Sequence, residues 1–118
     1  MPHFVDIISP HYQKLLTSCE RRKIAVNLDI QDLTINIRDT EPVNAFLTSE
    51  IKRALKNCSA GDKITLVESA DAKAIRVSVK NSGSNTLSAE EKEALRAAGY
   101  EVRARFGYDT IITLVIGR

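Results

Sequence analysis

The chain predicts an α/β (α+β) fold of two layers, a mixed β-sheet covered on one face by three helices. Three observations predict it. Segments with a helical period and segments with a period of two follow one another as helix, two strands, helix, two strands, helix, two strands. Apolar and polar residues alternate along the strand segments, so one sheet face is buried and the other is the more polar. With 118 residues, 43% hydrophobic and 27% charged, the chain has room for a single domain, residues 1–118. That composition also excludes the disordered and low-complexity classes.

The first helix runs from Phe4 to about Glu20, with Phe4, Ile7, Ile8, Tyr12, Leu15, Leu16 and Cys19 on one face and Pro10 as a kink or early break. Arg21-Arg22-Lys23 closes it with positive charge where the helix dipole favours it. Ile24, Val26, Leu28 and Ile30 then alternate with polar or small residues, as do Leu33, Ile35 and Ile37. Gln31-Asp32 between them is short, which predicts a hairpin. Asp39-Thr40-Glu41-Pro42 carries a cap, an early acid and an early proline, a helix entry. The helix after it buries Val43, Phe46, Leu47, Ile51, Ala54, Leu55 and Cys58 and ends in Asn57-Cys58-Ser59-Ala60-Gly61.

A second strand pair occupies 63–68 and 73–80, turning at Ser69-Ala70-Asp71-Ala72. The polar loop 81–86 follows, and Ser88-Ala89-Glu90-Glu91 is a capping box that opens a short helix ending at Gly99. The final pair, 100–106 and 110–116, hinges at Gly107-Tyr108-Asp109. This pattern makes Leu55 and Ile75 core residues, each costing roughly 2–5 kcal/mol on truncation to alanine. Asn57→Ala and Asn81→Ala are expected to behave as surface changes, within about 0.5 kcal/mol.

Seventeen basic residues against fifteen acidic give +2, too balanced for a nucleic-acid or membrane-surface partner. The apolar runs are far shorter than the roughly 18–20 residues of a membrane span. Met1-Pro2-His3-Phe4-Val5-Asp6 lacks the features of a signal peptide, so a cytoplasmic location is expected. Cys19 and Cys58 form no CxxC and have no histidine beside them, which reads as two small apolar fillers. His3 and His11 have no carboxylate or nucleophile at helical spacing and read as solvated or partly packed side chains.

The order of elements, and three stretches within it, resemble the GHKL superfamily of gyrase-type ATPases and histidine kinases, and most closely the ATP-binding catalytic domain of sensor histidine kinases. Phe46 to Cys58 resembles the helix that carries the kinase N box, with Asn57 at the later of two asparagine positions and Arg53 at the earlier. Ala74 to Gly83 resembles the next strand and its G1 box, with Asn81 in place of the aspartate, Gly83 retained, and Asn85 in place of the second glycine. The terminal pair resembles that domain's last hairpin. The resemblance covers nearly the whole chain and implies a Bergerat-like sandwich.

It also implies a nucleotide site built from Asn57, Asn81, Gly83 and Arg53, with Asn57 as the magnesium ligand if nucleotide binds. Several departures weigh against such binding. Arginine cannot ligate a cation. The Asn81 amide carries no charge for the adenine amino group. Only Ser84-Asn85-Thr86-Leu87 separates Gly83 from the Ser88 capping box, leaving no glycine-rich loop to cradle phosphates.

Two functions of different classes follow from the resemblance. One is a degenerate histidine-kinase-like domain without nucleotide turnover or cofactor. It would act as a protein-interaction module in signal transduction, through dimerising kinase helices or a response regulator. The other is an ATP- and magnesium-binding catalytic domain that needs a separate phosphoacceptor domain.

Overall fold

The computed structural model describes residues 2–83, 87–104 and 109–118. Among them the chain forms α1 (Phe4–Arg22), β1 (Ala25–Ile30), α2 (Thr40–Asn57), β2 (Lys63–Ala70), β3 (Ala74–Asn81), α3 (Ala89–Ala97), β4 (Glu101–Arg103) and β5 (Thr110–Gly117). The strands make one open sheet in the order β1-β2-β3-β5-β4. β1 is parallel to β2 and every other pairing is antiparallel. The two-layer mixed-sheet sandwich expected from periodicity is therefore the fold.

The ends of the helices are written into the sequence. Asp39 caps α2 by accepting the Glu41 N–H at 3.2 Å, and Pro42 sits in the first turn, where its missing N–H costs nothing. The Ser88 hydroxyl and the Glu91 carboxylate exchange hydrogen bonds with each other's backbone at 3.1 and 3.2 Å, completing the capping box of α3. At its other end Gly99, with φ +91°, takes the left-handed position that stops α3. Pro10 does not break α1, which runs unbroken from Phe4 to Arg22. The apolar face of α1 on either side of Pro10 (Phe4, Ile7 and Ile8 before it, Leu15 and Cys19 after it) is buried against the core.

The core lies between the layers. Ile64 and Leu66 of β2, Val77 and Val79 of β3 and Ile112 of β5 face Phe4, Ile8 and Leu15 of α1 and Val43, Phe46, Leu47 and Ala54 of α2. Each large side chain so buried contributes about 1.5–3 kcal/mol. Phe46 meets Tyr100 edge to face with ring centroids 5.0 Å apart, joining α2 to the segment after α3. The opposite face of the sheet is the polar one, and Arg76, Ser78, Lys80, Glu101 and Thr113 line a shallow groove of about 400 Å³ there.

Four expectations are corrected. Residues 33–38 form no strand and no hairpin with β1. The Asp32 carboxylate accepts both the N–H and the hydroxyl of Thr34, at 2.9 and 2.6 Å, and bends the chain straight after β1. Ile35 and Ile37 are buried, as their alternation implies, but they lie against the start of the chain: Phe4 N–H donates to the Ile35 carbonyl and Ile37 N–H to the Pro2 carbonyl. β1 takes β2 as its partner instead, a parallel pairing that requires a crossover, here α2. The sheet therefore has five strands among the described residues, not six. Leu55 is half-buried at the margin of the core rather than within it. β4 spans Glu101–Arg103 only. Residues 105–108 of the expected strand and hinge lie outside the described residues, as do Ser84, Asn85 and Thr86.

Candidate functional site

Three of the four residues singled out by the sequence, Asn57, Asn81 and Gly83, gather where α2 ends and β3 leaves the sheet, while Arg53, one turn earlier in α2, bonds to Glu50 and to Glu91 of α3. Asn57 is the last residue of α2 and Asn81 the last of β3, opposite Ile64 and Thr110. The chain beyond Asn81 folds back onto the segment that follows α2. Ser82 N–H donates to the Lys63 carbonyl and Lys63 N–H to the Ser82 hydroxyl, at 3.0 and 2.8 Å. Asp62 accepts from the Ser82 hydroxyl at 3.3 Å and from the Ser59 N–H at 2.8 Å. Gly83 then lies flat against the end of the helix. A Cβ there would stand 2.3 Å from the Asn57 carbonyl oxygen, so only glycine fits the approach.

Asn81 is 4% exposed, and its side-chain oxygen accepts the Gly83 N–H at 3.0 Å. The expectation that Asn81→Ala behaves as a surface change is thereby overturned: the amide caps its own loop inside the protein. Cys58, just beyond Asn57, is buried. Burial and the nearby Asp62 carboxylate push its thiol up to about 11, against a smaller opposing contribution from the Gly83 N–H. Burial likewise raises Cys19. Both cysteines stay protonated thiols, the small fillers their surroundings imply.

Arg53, one turn before Asn57, stands between two carboxylates. Its Nε donates to Glu50 Oε1 at 3.0 Å and its Nη1 to Glu91 Oε2 at 2.9 Å. The Glu50 side chain is 2% exposed, and its second oxygen accepts the Ser49 hydroxyl at 2.8 Å. Glu91 is the capping-box acid of α3, and the Ser88 N–H, more than Arg53, holds its carboxyl below the ordinary glutamate range. The guanidinium thus ties the last turns of α2 to the first turn of α3. Lys52 and Lys56 are exposed, a solvated face that does not extend to Arg53. The sequence reading missed Glu50, and the signal was present: it falls at the helical spacing of Leu47, Ile51 and Ala54, on the face that turns inward.

A second polar feature lies at the opposite end of the sheet. Glu68 of β2 is fully buried on the helix side; one carboxylate oxygen accepts the Asp32 N–H at 3.3 Å and the other has no partner among the described residues. Burial raises its carboxyl above the ordinary glutamate range, and the Asp32 and Asp29 carboxylates push the same way while the Asp32 N–H opposes them. Nearby, a groove of about 720 Å³ runs between the 32–39 loop, Pro42 and the end of β5. It is a strand's length from Asn81, because Ile75 lines it from the far end of β3.

Solved structures share this architecture. The catalytic domain of histidine kinase ThkA, in a nucleotide-free form, superposes with a TM-score of 0.81 at 14% identity, over 98% of this chain and 93% of that one. Acinetobacter baumannii histidine kinase AdeS matches at TM-score 0.73 and 14% identity, over 98% of this chain and 64% of its own. ThkA in complex with the response regulator TrrA matches at 0.79 and 15%, this chain spanning 40% of that longer one. No family model and no curated protein sequence matches the chain. The fold is that of histidine kinase catalytic domains, with no helix among the described residues long and apolar enough to cross a membrane.

Proposed function

We propose that this chain is a degenerate histidine-kinase-like domain that works through protein contacts in signal transduction, without turning over nucleotide. One observation carries the reading: two of the polar side chains that the resemblance assigns to a nucleotide site are engaged within the fold itself. Arg53 is held between Glu50 and Glu91, and the Asn81 oxygen is turned onto the Gly83 N–H. Were Arg53 to leave Glu50 for a phosphate, that buried carboxylate would lose its cation.

For magnesium the resemblance assigns one side-chain ligand, the neutral amide of Asn57, and the rest of a near-octahedral shell would have to come from phosphate and water. The partners this reading assigns are the dimerising helices of a histidine kinase or a response regulator, and the compartment is the cytoplasm. ThkA, a longer chain that includes this fold, is solved in complex with the response regulator TrrA, which supports the second partner.

The alternative, an ATP-binding domain that needs a separate phosphoacceptor, draws on the burial of Asn81 at the end of β3, where a polar group can read a base. Titration calorimetry of ATP and ADP with magnesium into the purified chain, repeated with Asn57→Ala, separates the two. The interaction-module reading expects no binding heat at millimolar nucleotide. Saturable binding abolished by Asn57→Ala would overturn it.

A further inference from the structure

The sheet edge formed by β1 stands on residues the proposed function does not use. Ala25 N–H donates to the Asp62 carbonyl and Gln31 N–H to the Glu68 carbonyl, which fixes the odd-numbered residues of β1 as those bonded to β2. The N–H and C=O groups of Val26, Leu28 and Ile30 therefore point away from the sheet, and no hydrogen bond engages them among the described residues. Between Ala25 and Ile30 there is no proline, no lysine and no bulge to blunt the edge, and Asp29 is its one charged residue.

The edge is also apolar. Leu28 and Leu33 are the large exposed hydrophobic residues among those described, at 40% and 65% exposure. Above them lies α1. His11 bonds to Asn44 of α2 on one flank of that helix, and Leu15 and Cys19 point into the core. Helical spacing then turns half-buried Tyr12 and Leu16 to the other flank, over the β1 edge.

We propose that a second copy of this chain pairs with the first along β1, antiparallel about a two-fold axis at Leu28, to make one sheet that runs through both copies. The strand is complementary to itself in this register. Leu28 faces Leu28 of the other copy and Val26 faces Ile30, both hydrogen-bonded pairs made from the outward-pointing groups. Asn27 faces Asp29 in the non-hydrogen-bonded position, where side chains come closest and the amide can donate to the carboxylate. Shifting the axis to Asp29 sets two carboxylates against each other, and shifting it to Asn27 loses both the Val26–Ile30 and the Asn27–Asp29 pairs. In this register the α1 helices of the two copies lie on the same side of the joined sheet, with Tyr12 and Leu16 on the flanks that face each other.

The test is sedimentation velocity with the whole chain from about 1 µM to about 1 mM. Wild type is expected to pass from 13.1 kDa to twice that mass. Leu28→Lys sets two ammonium groups together at the axis, and the dimer is lost. Asn27 is exposed, so its variants leave the fold alone: Asn27→Asp opposes Asp29 and weakens the dimer roughly tenfold, while Asn27→Lys pairs with it and tightens the dimer by a similar factor. Should Leu28→Lys fail to fold by circular dichroism, the opposite signs of the two Asn27 variants decide. A monomer at every concentration, with the edge free or reserved for another protein, overturns the proposal. So does a dimer indifferent to Leu28→Lys, or one moved the same way by both Asn27 changes.

Discussion

Replacing Arg53 by methionine keeps much of the side chain's packing and removes the charge between Glu50 and Glu91. The Arg53 side chain is 30% exposed and that of Glu50 2%. Removing one partner of a fully buried pair costs about 3–5 kcal/mol, and breaking an exposed one about 0–1 kcal/mol. Glu50 keeps the Ser49 hydroxyl, which places Arg53→Met between these limits, at about 2 kcal/mol. The Glu91 partner is 46% exposed and screened by water, so it adds little. In a domain of this size that loss lowers the melting temperature by about 6–8 °C. Urea unfolding followed by circular dichroism measures it, together with the double variant Glu50→Gln/Arg53→Met. The double variant is expected to recover roughly half the loss, since no uncompensated buried charge remains. A single-variant cost below about 0.5 kcal/mol, or a double variant no better than the single, would refute an Arg53 committed to the fold and free it for a ligand.

Other consequences are as direct. Glu68 has its folded-state carboxyl raised by burial, so the charged form is penalised only in the folded chain. Below the ordinary glutamate range Glu68→Gln and wild type are equally placed with respect to this group; as pH rises through and above that range the variant gains, and urea midpoints across the series should diverge in its favour. Gly83→Ala forces a Cβ onto the Asn57 carbonyl and should cost about 2 kcal/mol in the same assay. Asn81→Ala leaves the buried Gly83 N–H without its acceptor and should cost about 1–2 kcal/mol. Ile75→Ala, in the core at 5% exposure, should lose roughly 2–5 kcal/mol, and half-buried Leu55→Ala clearly less.

Much of this was legible in the residues because local signals and the fold agree. Asp39 and Ser88 cap the helices they precede, and the β2–β3 hairpin follows its alternation almost to the residue. Even the inward turn of Glu68 follows from its parity with Ile64 and Leu66. Residues 33–37 misled for a physical reason. Burial of every second residue looks the same whether the partner is a neighbouring strand or the start of the chain, and only tertiary contact distinguishes Pro2 and Phe4 from β1. At the candidate site, the meeting of Asn57, Asn81 and Gly83 was readable from resemblance to a known fold. What those residues do there was not. The Asn81–Gly83 bond depends on how the loop turns back, and the Arg53–Glu91 pair joins residues 38 apart in sequence, a distance no helical spacing can span.

What separates the proposed function from its alternative is whether Arg53 and Asn81 stay bonded to the fold's own groups when nucleotide is present. The Gly83 amide proton, held by Asn81, reports on it residue by residue. In a ¹H–¹⁵N correlation spectrum, the account predicts that the backbone amide of Gly83 and the side-chain amide of Asn57 stay in place as ADP and magnesium are raised to millimolar concentration. Saturable shifts confined to those two residues and Asn81 would contradict it, and would make the chain a nucleotide-binding domain after all.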